Sequence, residues 1–187
     1  MYAFLRQLLG QARRIAFAPL LVISLSAPLP ASGDDAVTEY QVKAAFLYNF
    51  SRFVNLPGDL DNTFRLCVIG QDPFDGQLDG LIGKSVHDSI MVVETHERTD
   101  TVQDCQVLFI SQSLEPRLDT IIAAVDGLPI LTVSDIASFT DAGGMIGLGL
   151  ANKKIRFEVN TGAAGRAGLA ISSKLLSLAT VVKMEPR

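Results

Sequence analysis

Phe64-Arg65-Leu66-Cys67-Val68-Ile69-Gly70-Gln71-Asp72-Pro73-Phe74 is the stretch from which the architecture follows. Leu66 to Ile69 is a short unbroken apolar run with β-branched members, the pattern of a strand covered on both faces. Gly70 ends it. Asp72 is placed to cap a helix, and Pro73 suits a first helical position, where its missing N–H removes no bond. A helix is therefore expected from Pro73 to about Leu81. The strand also holds Cys67, one of two cysteines in the chain; the other, Cys105, opens a second strand-like run, Cys105 to Ser111.

Upstream of this strand, Val42, Ala45, Phe46, Asn49, Phe50 and Phe53 recur at three- and four-residue steps, which predicts a helix over Tyr40 to Val54 with one apolar stripe. Pro57-Gly58 stops it. The aromatic stripe reads as core rather than as a ligand site. Downstream the pattern alternates: a strand at Ile90 to Glu94, a strand at Val107 to Ile110, a helix at Leu114 to Val125 with Ile121, Ile122 and Val125 inward, and a strand at Pro129 to Val133. Ser134-Asp135 caps a short helical turn through Phe139. Strands joined by crossover helices are parallel, with right-handed crossovers. After the Ala142-Gly143-Gly144 turn, Met145 to Leu150 and Lys154 to Val159 read as a hairpin around Asn152-Lys153. A helix from Ala163 to Lys183 closes the chain, with Leu169, Ile171, Leu175, Leu176, Leu178, Ala179 and Val182 on its apolar face. The expected fold is α/β: a single layered domain over residues 34–187, with a mostly parallel sheet flanked by helices and a C-terminal hairpin and helix.

Residues 1–33 have the order of a cleaved secretory signal: Arg6, Arg13 and Arg14, an apolar run from Ile15 to Leu25, then small residues at Ala31 and Gly33. The run is about half the roughly 20 residues that span a bilayer, and Pro19 interrupts it; an uncleaved anchor is the alternative. Three of the 16 basic residues lie in this segment and none of the 20 acidic ones does, so the remainder carries a net charge of −7. That balance disfavours nucleic acid and anionic membrane surfaces as partners. An exported chain meets an oxidising compartment, where a disulfide persists. If Cys67 and Cys105 sit on neighbouring strands, their bond closes a loop of about 38 residues and contributes roughly 4 kcal/mol. Otherwise they are two small buried apolar residues.

The residues give little support for catalysis, and no metal or cofactor site is expected. His87 and His96 flank one strand, roughly 30 Å apart along an extended chain, and neither cysteine has a histidine near it in sequence. Gly83-Lys84-Ser85 lacks the upstream glycine and the flanking strand and helix of a phosphate loop, and the glycines at 143, 144, 147 and 149 lack the dinucleotide spacing. Asp72, Asp75 and Asp79 share a face if their segment is helical, but spacing alone names no acid and base.

Five ordered blocks resemble the YfiR family of small periplasmic proteins: Lys43 to Phe50, Cys67 to Phe74, Cys105 to Ser111, Gly143 to Leu148 with Phe157 to Asn160, and Ser173 to Ala179. The resemblance implies a periplasmic repressor that binds the periplasmic segment of an inner-membrane diguanylate cyclase and holds cyclic-di-GMP synthesis down. It further implies sequestration by a peptidoglycan-binding outer-membrane lipoprotein, a homodimer, sensitivity to redox state, and a Cys67–Cys105 disulfide. Leu56-Pro57 replaces the Trp-Pro of many relatives, and Met145 to Asn152 lacks the second cysteine pair, so neither feature carries over. Phe53, Leu56, Asn152, Lys153 and Arg156 are the expected partner-binding residues. The rival readings are a periplasmic small-molecule receptor, with its crevice near Gly70-Gln71-Asp72 and Ser111-Gln112-Ser113, and a hydrolase with an unrecognised site.

Overall fold

The computed structural model describes residues 38–57 and 62–182; the expected signal segment, residues 1–33, lies outside them. Thr38 opens the first helix, α1 (Glu39–Phe53), its hydroxyl accepting from the Gln41 N–H at 3.1 Å. The helix matches the predicted span within a residue at each end, but its buried face is rotated. Lys43, Ala44, Leu47, Phe50 and Ser51 are buried, whereas Ala45 and Asn49 of the predicted stripe are exposed and Val42, Phe46 and Phe53 half-buried. Lys43 causes the shift. Its ammonium lies 2.6 Å from Asp135 Oδ2 and 2.5 Å from Glu39 Oε1, so a charged side chain that periodicity assigns to solvent goes inward.

The strands are β1 (Val54–Asn55), β2 (Thr63–Ile69), β3 (Ser85–Val86), β4 (Ser89–His96), β5 (Val107–Ile110), β6 (Leu131–Ser134), β7 (Ile146–Ala151), β8 (Lys154–Asn160), β9 (Ala170–Ile171) and β10 (Thr180–Val182). Eight form one sheet in the order β10-β8-β7-β6-β5-β2-β4-β3, and β1 pairs with β9 in a separate ribbon. The five central strands, β4-β2-β5-β6-β7, are all parallel. Numbered along the chain they run 2-1-3-4-5, a doubly wound order in which the chain reverses direction across the sheet between β2 and β5. The α/β class and the mostly parallel sheet are therefore as the sequence led us to expect.

β2 alternates between two apolar layers. Phe64, Leu66 and Val68 join a cluster with Ala44, Leu47 and Phe50 of α1 and with Phe109, Val133 and Phe157. Cys67 and Ile69 join the opposite cluster with Leu108, Ile110 and, from α2 (Leu118–Val125), Ile121, Ile122 and Val125. The predicted strand at 90–94 extends to Ser89–His96, and the β7–β8 hairpin closes through Asn152 and Lys153 at φ 51° and 60°, the pair of positive φ values that matches strand twist.

Two predicted helices are replaced and a third is shortened. Pro73 to Leu81 is a turn followed by one 3₁₀ turn, Asp79–Leu81: Asp72 Oδ1 accepts from the Phe74 N–H at 2.8 Å, and Asp75 and Gly76 both take positive φ, so Asp72, Asp75 and Asp79 share no helix face. The segment 114–125 begins within a 3₁₀ stretch, Gln112–Arg117, that contains Pro116, and is α-helical from Leu118, with Ile121, Ile122 and Val125 buried as expected. The closing helix is instead α3 (Thr161–Arg166), β9, α4 (Ser173–Leu176) and β10. Gly168, at φ +72°, follows the end of α3, and the β-branched Val181-Val182 pairs in parallel with β8, the more favourable setting for such residues. Ser134 begins a turn rather than a helical cap, its hydroxyl accepting from the Ile136 N–H at 3.0 Å.

Gly144 lies against the Phe139 ring, and a Cβ there would overlap it. Gly144→Ala is expected to destabilise the domain by about 1–3 kcal/mol through overpacking, read as a lowered urea midpoint at unchanged slope.

Candidate functional site

Cys67 and Cys105 are joined by a disulfide with Cα atoms 6.0 Å apart, and both residues are buried. Cys105 is not on a strand, as the sequence suggested. It sits in the loop before β5, its N–H donating to the Val102 carbonyl at 3.1 Å, so the bond ties central strand β2 to the loop that follows β4. A histidine stands beside it, contrary to the sequence reading. Parallel pairing aligns Cys67 with Glu94 and Ile69 with His96, which brings His96 Nε2 to 3.8 Å from Cys105 Sγ and 3.4 Å from Glu94 Oε2. Sequence spacing gave no signal for this because the neighbours come from strand register. His87 serves elsewhere. Its Nε2 lies 2.8 Å from the Ser51 carbonyl and 3.1 Å from that of Val54, donating to the end of α1.

A second group gathers at the carboxyl ends of the parallel strands. Gln71, Asp72 and Pro73 after β2, Ser111, Gln112 and Ser113 after β5, and Tyr40 of α1 line a cleft of about 380 Å³. This is the crevice between β2 and β5 where the sheet order reverses. Ser111 donates to the Gln71 carbonyl at 2.6 Å, and the Gln71 N–H donates to Ser113 Oγ at 3.0 Å, so the two loops hold each other. Behind them Asp135, at the end of β6, accepts from the Tyr40 hydroxyl at 2.9 Å and from Lys43 Nζ at 2.6 Å. Its second oxygen, Oδ1, is buried without a hydrogen-bond partner. Burial works to lower the Lys43 pKa, but the hydrogen bonds to Asp135 and Glu39 outweigh it and hold the ammonium above its ordinary 10.5. Burial, aided by the bond to Asp135, holds Tyr40 above 10.0. The sequence reading located the two loops; it missed Tyr40, Lys43 and Asp135, which converge only when α1 packs over the strand ends.

The expected partner-binding residues fall in two places. Phe53 and Leu56 are half-buried beside the β1–β9 ribbon, where the Phe53 carbonyl accepts from the Ser172 N–H at 2.9 Å. Asn152, Lys153 and Arg156 are exposed on the β7–β8 hairpin. Near its tip, Leu150 and Ile155 are register partners and, with Val42 and Phe46 of α1, line an apolar groove of about 450 Å³ edged by Glu39, Lys153 and Lys154. Arg156, one residue beyond Ile155, points to the other face of the hairpin and lines a separate cleft with Phe139, Thr140 and Glu158.

Replacing both cysteines by serine removes a cross-link spanning 38 residues and is expected to lower unfolding free energy by about 4 kcal/mol, measurable by urea denaturation. Tyr40 and Lys43 both have folded-state pKa values above their unfolded ones, so their contribution is fully present below about pH 10. Above that pH the folded chain holds protons that the unfolded chain has released, and stability falls as pH rises through the folded values. The urea midpoint is expected to decline from about pH 10 upward, and less steeply in Tyr40→Phe.

Two comparisons relate the chain to known proteins. A solved structure described as a conserved domain protein from Vibrio cholerae O1 biovar El Tor superposes with a TM-score of 0.54 at 12% sequence identity, over 79% of this chain and 60% of that one. That likeness is one of fold, and the chain spans about 60% of the other's length. A sequence model of the YfiR/HmsC-like family matches residues 40–180, a span that takes in all but the first residue of α1, both cysteines, the strand-end cleft and the hairpin. The chain thus belongs to the YfiR/HmsC-like family.

Proposed function

We propose that this chain is a periplasmic negative regulator that binds the periplasmic segment of an inner-membrane diguanylate cyclase and lowers cyclic-di-GMP synthesis. The family membership supports a regulator rather than an enzyme. The buried disulfide fits an oxidising compartment outside the cytoplasm. The observation that carries the reading is the apolar groove where α1 meets the hairpin tip, with Leu150 59% exposed beside two lysines. Such a groove suits an amphipathic segment that brings apolar anchors and acidic flanks. Repression requires that the regulator bind the inactive arrangement of the cyclase more tightly than the active one. A homodimer and a peptidoglycan-binding lipoprotein as sequestering partner belong to the same proposal.

A second reading, a small-molecule receptor, is favoured by the strand-end cleft, where Tyr40 on its lining bonds to the buried Asp135. It and the repressor reading are separated by calorimetry with the isolated periplasmic segment of a cyclase. Binding is expected for the wild type and at least about tenfold weaker for Leu150→Asp, a loss of about 1.4 kcal/mol, with little change in thermal midpoint because Leu150 is exposed. Absence of binding, together with saturable thermal stabilisation by a metabolite, would favour the receptor.

A further inference from the structure

We propose that the reduced chain is a metal-binding protein, holding a soft divalent cation of the zinc(II) type through Cys67 Sγ, Cys105 Sγ and His96 Nε2. These three atoms lie within 4.8 Å of one another. Two thiolates and an imidazole are a donor set that suits zinc. No sequence motif announces the site, since Cys67 comes from β2, His96 from the end of β4, and Cys105 from the loop before β5.

The imidazole is already oriented for ligation. Thr101 donates its hydroxyl proton to the Arg98 carbonyl at 2.8 Å, so at 3.0 Å from His96 Nδ1 it accepts rather than donates. In the Nδ1–H tautomer that this acceptor favours, the Nε2 lone pair faces the sulfurs. A ligating histidine is ordinarily oriented in this way, by an acceptor on its other nitrogen. Glu94 stands on the open side, 40% exposed, with Oε2 3.4 Å from His96 Nε2; this is the side by which a cation enters and where a carboxylate or water completes a tetrahedron. With zinc–sulfur bonds of about 2.3 Å the two sulfurs must move to roughly 3.8 Å apart. Cα atoms 6.0 Å apart permit this by side-chain rotation and a small shift of the Cys105 loop.

Disulfide and metal exclude each other at this site. A dithiol reductant supplies two electrons and two protons: the S–S bond breaks, two Cys S–H groups form, and the reductant becomes its own disulfide. The cation then displaces both thiol protons to solvent and takes the Nε2 lone pair, with no further electron transfer. Reoxidation by a disulfide donor, which takes up the two electrons and two solvent protons and becomes a pair of thiols, reforms the S–S bond and expels the cation. The two states place different charge and geometry at the junction of β2, β4 and β5.

The test uses the full chain, oxidised or reduced with a phosphine that is then removed, titrated with zinc(II) against a chromophoric chelator and, separately, with cobalt(II). The expected result is one ion per reduced chain, a thiolate-to-cobalt absorption band, and no binding by the oxidised chain. His96→Gln is expected to weaken zinc binding at least about tenfold, and Thr101→Val by about tenfold through loss of ring orientation. Circular dichroism of the metal-free reduced chain reports whether it keeps its fold. The proposal is overturned by a folded reduced chain that takes up no zinc, by uptake unchanged in His96→Gln, by equal uptake in the oxidised chain or in Cys67→Ser/Cys105→Ser, or by a reduced chain that unfolds and binds no more tightly than in urea.

Discussion

Strand β2 is paired in parallel on both edges and covered on both faces, and the remaining elements take their places from it. Its odd and even positions feed two separate apolar layers, so slipping its register by one residue would exchange the layers and send Cys67 away from its bond. The chain leaves β2 toward β4 on one side and returns to β5 on the other. The loops after β2 and β5 line the cleft at that reversal and are tied to each other through Gln71, Ser111 and Ser113, while the same strand carries Cys67 into the layer covered by α2.

The buried charge at Lys43 is a second constraint of a different kind. An ammonium with a side chain 4% exposed is tolerable only because Asp135 and Glu39 neutralise it, and removing one partner of such a pair costs about 3–5 kcal/mol. The pair fixes how α1 sits over the strand ends, and through α1 it sets the floor of the hairpin groove. Both candidate surfaces, the strand-end cleft and the groove, thus depend on one helix and one carboxylate. The cysteine cluster is independent of them, since it is built on the face covered by α2.

Several features were legible without coordinates. Unbroken β-branched runs specify strands buried on two faces, the Asn152-Lys153 turn specifies a hairpin, and the alternation of apolar runs specifies a parallel sheet. Helix reading failed where short-range geometry competes with periodicity. Asp75-Gly76 can enter the left-handed region and does, Gln112–Arg117 takes a 3₁₀ form before α2, and residues 170–182 form β9, α4 and β10, which pair with β1 and β8 and leave Leu178 73% exposed.

Local composition was enough to specify the α/β class, the central strand and the two cysteines as its chemical landmark, because each follows from residue type and spacing along a single stretch. The placement of His96 against Cys105, of Lys43 and Tyr40 against Asp135, and of Arg156 on the face away from Ile155 is not written in any one stretch. These contacts join segments 9 to 95 residues apart, or turn on which way a strand presents its side chains. They exist only after strand register and helix packing have been chosen, and that choice belongs to the burial of the whole chain.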